Sequence, residues 1–299
     1  MLQRYDERNA GISYWVNGVL RHRDEPGISP FDSVVQGGDA VWEGLRLYQG
    51  RIFGLEAHLD RLRRSATALG FAGIPSTAEV IAAVAETLRA NDMRDGVHIR
   101  LTLTRGVKVT SGMDPRLNRS GCTLIVLAEH KPPVYDTGGL RLVTSSLRRP
   151  GPDVLDPRIH HNNLLNSILA KMEATVAGAD DALMLDGRGF VAETNATHLF
   201  AVHNGTLSTP HAVACPEGIT RATVLRLAEE VGIPAAVRDL GLTEMYTADE
   251  VFCTGTMGEI AGVTEIDGRT IGTGAVGPVT SRVADLYVSH ARASGTPVV

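Results

Sequence analysis

The sequence predicts a mixed α/β protein of two domains, and three observations predict it. Hairpin-like strand pairs alternate with amphipathic helical stretches along the chain instead of segregating into separate runs. The length of 299 residues exceeds one typical domain and suits two domains of about 130 to 150 residues each. Residues 131–157 gather Pro132, Pro133, Pro150, Pro152 and Pro157 with Gly138, Gly139 and Gly151, which marks a break between them.

Taken in order, SYWVNGVLRH centres Asn17-Gly18 between hydrophobic residues, the strongest short-range hairpin signal. A second hairpin turns at Gln49-Gly50 in GLRLYQGRIFGL. The pattern then becomes helical in EAHLDRLRRSATALGF, with Leu55, Leu59, Leu62, Ala66 and Leu69 on one face and Gly70 closing the helix. The same periodicity places Arg61 on the exposed face. STAEVIAAVAETLRANDM opens with a Ser76-x-x-Glu79 capping box, and VHIRLTLTRG and CTLIVLAEH read as strands. The first domain thus spans 1–130 and residues 131–150 form a linker region holding one strand, LRLVTSS. The second domain, 151–299, begins with a helix in NNLLNSILAKMEATVAGA that Asn162 and Asn163 are expected to start. Hairpins follow in DALMLDGRGFVAE and HLFAVHNGTLSTP, a helix in ITRATVLRLAEEVG, and a strand-rich end in DEVFCTGTMGEIAGVTEIDGRTI.

Composition narrows the function classes. With 43% apolar and 21% charged residues the chain can bury a substantial core. A net charge of −5 without a long basic run offers no footprint for nucleic acid or an anionic membrane. The amino end lacks the apolar core of a signal peptide and no apolar run approaches the ~18 residues of a membrane span, so a cytoplasmic location is expected. Cys122, Cys215 and Cys253 are odd in number and widely spaced, which reads as reduced thiols without a metal. Neither HExxH nor GxxxxGK[ST] is present, leaving small-molecule chemistry as the expectation.

Three segments could cradle a phosphate through backbone N–H groups and hydroxyls: GITR at a helix start, TGTMGEI at a strand end, and the helix bearing Arg61. Each alone is also explained as a plain cap, turn or solvated face. Their order and flanks carry more: FDSVVQGGDAVWEGLRLYQGRIFGLEAHLDRLRRSA, GADDALMLDGRGFVAETNATHLFAV, GITRATVLRLAEEVGI and ADEVFCTGTMGEI closely resemble the class IV aminotransferases, the family of branched-chain and D-amino-acid aminotransferases and aminodeoxychorismate lyase. The resemblance runs from about residue 12 to residue 288.

That resemblance implies fold type IV, with a small α/β domain first and a larger pseudobarrel domain second, pyridoxal 5′-phosphate as cofactor, and a homodimer acting on a small amino or keto acid. Loops from one subunit would close the other's pocket, around Phe31 and Lys108. By position, Arg61, Ile219, Thr220 and Thr256 would hold the phosphate, and Glu193 would bond the pyridine nitrogen and keep the ring electron-withdrawing. Trp42, His98, Arg100 and Met257 would line the substrate side, with Arg100 able to fork onto a carboxylate.

One departure is decisive. In DPRIHHNNLLNSILAK the position that resembles the family's cofactor-binding lysine is His160, or Ile159 if the register shifts by one, and the supporting tyrosine becomes Leu164. The chain holds only Lys108, Lys131 and Lys171. Lys171 and Lys131 are expected at the surface, and Lys108 stays a candidate substitute. Three readings remain open: an aminotransferase-like enzyme binding PLP or its amine form noncovalently with His160 moving protons; a PLP-independent lyase, isomerase or hydrolase using His160 and His161; and a non-catalytic metabolite-binding protein.

Overall fold

Asn17 and Gly18 take left-handed backbone angles, φ 45° and 89°, and fold β1 (Ser13–Val16) back on β2 (Val19–His22). Two successive positive-φ residues are what a tight hairpin demands, and Asn-Gly supplies them cheaply. The computed structural model describes residues 5–135 and 138–299. It divides into an N-terminal unit, with residues 5–132, 159–163 and 291–299, and a C-terminal unit drawn from residues 133–158 and 164–290. Among the described residues no helix is long and apolar enough to cross a membrane.

In the N-terminal unit, α1 (Ser33–Gly37) precedes β3 (Ala40–Tyr48), which turns at Gln49-Gly50 into β4 (Arg51–Ile52). Next come α2 (Leu55–Ala68) and α3 (Thr77–Ala90), the latter opened by the reciprocal Ser76 and Glu79 capping box, then β5 (Val97–Thr104) and β6 (Thr123–His130). The strands lie in the order β4-β3-β5-β6-β1-β2, every neighbour antiparallel. One face of β3 carries Val41, Leu45 and Leu47 into a core with Leu103, Ile99 and Val97 of β5, Leu55, Leu59 and Leu62 of α2, and Val84 and Leu88 of α3.

The C-terminal unit contains β7 (Leu140–Arg148), α4 (Leu165–Val176), β8 (Asp181–Leu185), β9 (Val191–Thr194), β10 (His198–His203) and β11 (Thr206–Thr209). It continues through α5 (Ile219–Glu230), β12 (Ala235–Val237), α6 (Leu242–Tyr246), β13 (Glu250–Gly255), β14 (Glu259–Ile266), β15 (Arg269–Thr270) and α7 (Pro278–Ala293), whose last turn falls in the N-terminal unit's residues. The sheet order is β12-β11-β10-β13-β14-β7-β8-β9, with β15 on β14. β9, at the sheet's end, passes straight into β10 through a turn where Thr194 N donates to Thr197 O at 2.7 Å, which curls the sheet. A final short strand, β16 (Thr296–Pro297), pairs with β4.

Three features depart from the contiguous division suggested by the sequence. β7, placed there in a linker, pairs parallel with both β14 and β8 and is an interior strand of the nine-stranded sheet. Residues 159–163 leave the C-terminal half of the chain and pair along β3: Trp42 N donates to His160 O at 3.0 Å and Asn162 N to Ala40 O at 2.8 Å. That pairing takes Asn162 away from the helix end, so α4 starts at Leu165 with Leu164 as N-cap and no side-chain cap.

Candidate functional site

In the N-terminal unit the site grows from one buried carboxylate. Glu43 sits in the apolar row of β3 between Val41 and Leu45 and is 0% exposed. A lone carboxylate there would be costly, and α2 compensates because His58, Arg61 and Ser65 recur at helical spacing on its inward side. Arg61 donates from Nε to Oε1 and from Nη2 to Oε2, both at 2.7 Å, and Nδ1 of His58 lies 2.6 Å from Oε2. The periodicity that put Arg61 on an exposed face is thus corrected: Arg61 is buried, drawn inward by this two-point ion pair.

His160 joins the same carboxylate. Its Nδ1 lies 3.2 Å from Glu43 Oε1, its backbone N donates to Ser65 Oγ at 3.0 Å, and its ring stacks on Trp42 with centroids 4.4 Å apart. Burial opposes the charge on Glu43, but His160 and Arg61 beside it hold the carboxyl well below the ordinary carboxylate range. Burial pushes the His160 imidazole down, against the pull of Glu43 and with Arg61 and His58 adding to it. The carboxylate is therefore matched by Arg61 and faces an imidazole whose protonation burial disfavours.

Arg100 covers the Trp42 ring at 4.1 Å and donates to Asn162 Oδ1 at 2.7 Å, while Trp42 Nε1 donates to the carbonyl of His161 at 3.1 Å. Arg100, Trp42 and His160 consequently form one stack. His98 faces the same side of the sheet, two residues along β5, and pairs with Arg46 across to β3. It is buried without a partner for Nε2, and burial, reinforced by Lys131, Arg100 and Arg46, pushes it down to about 3. Lys108 is elsewhere occupied: it is 8% exposed, its Nζ donates to Gly112 O at 2.6 Å, and its backbone N donates to Phe31 O. The other lysines also have acidic neighbours. Lys131 approaches Glu129 at 4.0 Å, and Lys171 pairs with Asp181 at 2.8 Å in place of the bare surface position expected for it.

The C-terminal unit holds Glu193, Ile219, Thr220, Thr256 and Met257. Glu193, on β9, is 4% exposed and ion-paired with Arg149, which is itself fixed by Ser167 Oγ at 2.8 Å. His198 Nδ1 lies 4.0 Å from the other Glu193 oxygen. Cys215 completes a trio whose donor atoms fall within 4.8 Å of one another, with Arg149 paired to Glu193 and burial pushing the Cys215 thiol up.

α5 begins after Gly218, an N-cap without any side-chain cap, so the first-turn N–H groups of Ile219 and Thr220 have no helical acceptor. Thr220 is therefore not the cap. It is buried one residue into the helix, with Oγ1 3.5 Å from Tyr287 Oη. A methyl at Gly218 would meet the His198 ring at 2.3 Å, which explains glycine there. Thr256 and Met257 lie in the turn joining β13 to β14, and Thr254 just before them is fully buried with no partner for Oγ1 among the described residues.

Residue reasoning from the sequence missed Glu43, His58, Ser65 and Arg149, whereas it singled out Thr254 with the TGT turn. A glutamate interrupting the alternation Val41-x-Glu43-x-Leu45-x-Leu47, and polar residues at His58, Arg61 and Ser65 on a helical period, were the available signals.

Residues 40–266 match the model of the amino-transferase class IV family, and the chain belongs to that family. Branched-chain-amino-acid aminotransferase-like protein 2 of Arabidopsis thaliana is 55% identical over 291 residues, covering 97% of this chain and 52% of that protein. The chain thus spans about half the length of such plant relatives. The branched-chain-amino-acid aminotransferase of Pseudomonas aeruginosa is 34% identical over 284 residues, 91% of each chain. Among solved structures, a T.th. branched-chain amino acid aminotransferase with pyridoxamine 5′-phosphate superposes with a TM-score of 0.88 at 34% identity over 94% of both chains. The fold is that of the fold type IV aminotransferases.

Proposed function

We propose that this chain binds pyridoxamine or pyridoxal 5′-phosphate noncovalently and acts as a transaminase-type enzyme on a small amino or keto acid. The observation that carries the reading is the partnerless, buried hydroxyl of Thr254 beside the TGT turn, in the same unit as the uncapped first turn of α5. Both are what a phosphate requires of its cradle. Glu193, an ion-paired buried carboxylate, suits a protonated pyridine nitrogen. In the N-terminal unit, Glu43 fixes the plane of the Arg61 guanidinium, a second phosphate donor by resemblance. Taken unit by unit, the residues suit the group except at attachment and at the supporting tyrosine, because position 160 offers an imidazole, position 164 a leucine, and the three lysines are engaged elsewhere. When bound, the cofactor supplies an electron sink for the bonds at the substrate's α-carbon.

For this chain's own residues, Arg100, stacked on Trp42, is the donor for a substrate carboxylate. Ile219, Thr220 and Thr256 hold the phosphate, and His98 and Met257 line the substrate side. His160 accepts or returns protons there, with His161 beside it, and Lys108 stays outside the chemistry. We place the protein in a homodimer, with the exposed apolar residues of α4 and of the Phe31 and Val109 loops as its contact surface.

The test is titration of desalted protein with pyridoxamine 5′-phosphate by calorimetry, with unphosphorylated pyridoxamine as control. Saturable binding that needs the phosphate and falls at least tenfold in Glu193→Ala and Thr254→Val is expected, with an absorbance change when a keto acid is added. Borohydride reduction of a sample with pyridoxal phosphate, followed by peptide mass spectrometry, should find no pyridoxyl-lysine. An adduct on Lys108 would overturn the noncovalent reading, and no binding at millimolar ligand would overturn the function.

A further inference from the structure

The geometry points to a role for Glu43 that goes beyond structure: it is a positioning residue that fixes His160 as the Nδ1–H tautomer and so presents Nε2 as a base. The inference rests on the proton-handling role proposed for His160, but its chemistry is carried by the chain alone, with or without a cofactor.

A carboxylate is an acceptor only. With Oε1 3.2 Å from Nδ1 of His160, the proton of the neutral ring must sit on Nδ1 for that contact to be a hydrogen bond. Nε2 then carries the lone pair, and it has no hydrogen-bond partner among the described residues. The ring cannot swing away: its backbone N is held by Ser65 Oγ, its carbonyl by Trp42 N, and its face by the Trp42 ring. The side chain nevertheless keeps 15% of its surface exposed, whereas Glu43 keeps none.

The charge bookkeeping favours a base. Arg61 from α2 neutralises Glu43, His58 from α2 approaches the other oxygen, and Arg100 lies beyond Trp42. These are the charged and titratable groups that face His160 from the elements packed on it. Glu43 thus remains an anion whose hydrogen bond strengthens when Nε2 takes a proton, the relation that lets a buried carboxylate orient and support a histidine. The base accepts a proton at Nε2, becomes imidazolium, and returns the proton from the same atom.

Two measurements test this. Nitrogen-15 NMR of histidine-labelled protein, with His160 assigned by its loss in His160→Gln, should show Nδ1 protonated and Nε2 unprotonated at pH 8. Acylation by diethyl pyrocarbonate, which needs an unprotonated ring nitrogen, should modify His160, read by peptide mass spectrometry across pH 5 to 8. In Glu43→Gln the tautomer preference should vanish and the acylation rate change at least tenfold. His58→Gln, which removes the partner of the Glu43 oxygen that His160 does not use, should lower stability yet leave the Nδ1–H tautomer preference at its wild-type value. A wild-type His160 protonated on Nε2, or one that is never acylated, would overturn the inference, and so would a Glu43→Gln profile matching the wild type. Should Glu43→Gln fail to fold, the wild-type tautomer decides alone.

Discussion

His58 and Glu43 meet at 2.6 Å between side chains that are 1% and 0% exposed, and the same carboxylate carries Arg61. Glu43→Ala removes both oxygens to which Arg61 donates and is expected to cost about 3 to 5 kcal/mol. His58→Ala removes one hydrogen bond to a charged group, at about 1.5 to 3 kcal/mol. Urea unfolding at pH 7 measures both. Because Glu43 has its folded pKa below its unfolded value near 4.5, its stabilisation is present above pH 4.5 and fades as the pH falls toward the folded value. Wild-type stability should therefore drop more steeply below pH 4.5 than that of Glu43→Gln.

His98 gives a second pH signature of the same direction in a different window. A histidine held down to about 3 stays neutral in the fold, while in the unfolded chain it protonates below its ordinary value of 6.5. The unfolded state therefore binds more protons between pH 6.5 and 3, and stability falls as the pH falls through that range. The contribution lost between pH 7 and pH 5 is about 2 kcal/mol. His98→Phe should flatten the stability profile over that interval. An unchanged slope would place the titrating group elsewhere.

Gly218 offers a steric test of the candidate residues in the C-terminal unit. A Cβ there would approach the His198 ring to 2.3 Å, far inside van der Waals contact, with Glu193 and Cys215 behind the ring. Gly218→Ala is expected to cost about 1 to 3 kcal/mol by overpacking. It should weaken pyridoxamine phosphate binding more than Gly232→Ala, a position where nothing lies within 4 Å but φ is +71°. Thermal unfolding and the calorimetric titration, run on both variants, separate the two effects.

The hairpins at Asn17-Gly18 and Gln49-Gly50 and the Ser76 capping box were legible because their signals are local: a positive φ or a side chain bonding three residues on. The class IV family was legible from blocks of sequence that keep their order. Nothing local reveals that residues 159–163 pair with β3, or that β7 pairs with β14, since both pairings reach partners more than 100 positions away. Arg61 was misplaced for the same reason. Helical periodicity sorts residues by polarity, and a buried cation reads as exposed until the carboxylate that neutralises it, here Glu43 on a strand 18 residues earlier, is brought alongside.

The surface of α4 leads to the last expectation. Its inward side is limited to small residues, Ala170 and Ala174, packed on Ala182 and Met184 of β8 with Val143 and Leu147 of β7 alongside. Its outward side carries Leu165, Ile168, Leu169, Met172 and Val176, between 48% and 90% exposed and spaced as one stripe. A lone surface helix would carry polar residues there, and a contiguous apolar stripe marks an interface. The protein should sediment as a dimer at micromolar concentration, and Leu169→Glu combined with Met172→Glu should shift it to monomer while leaving its circular dichroism unchanged. Both side chains sit on the outward face, so folding has no need of them and the change reports on association alone. A wild-type protein that stays monomeric at high concentration would assign the stripe to a different partner.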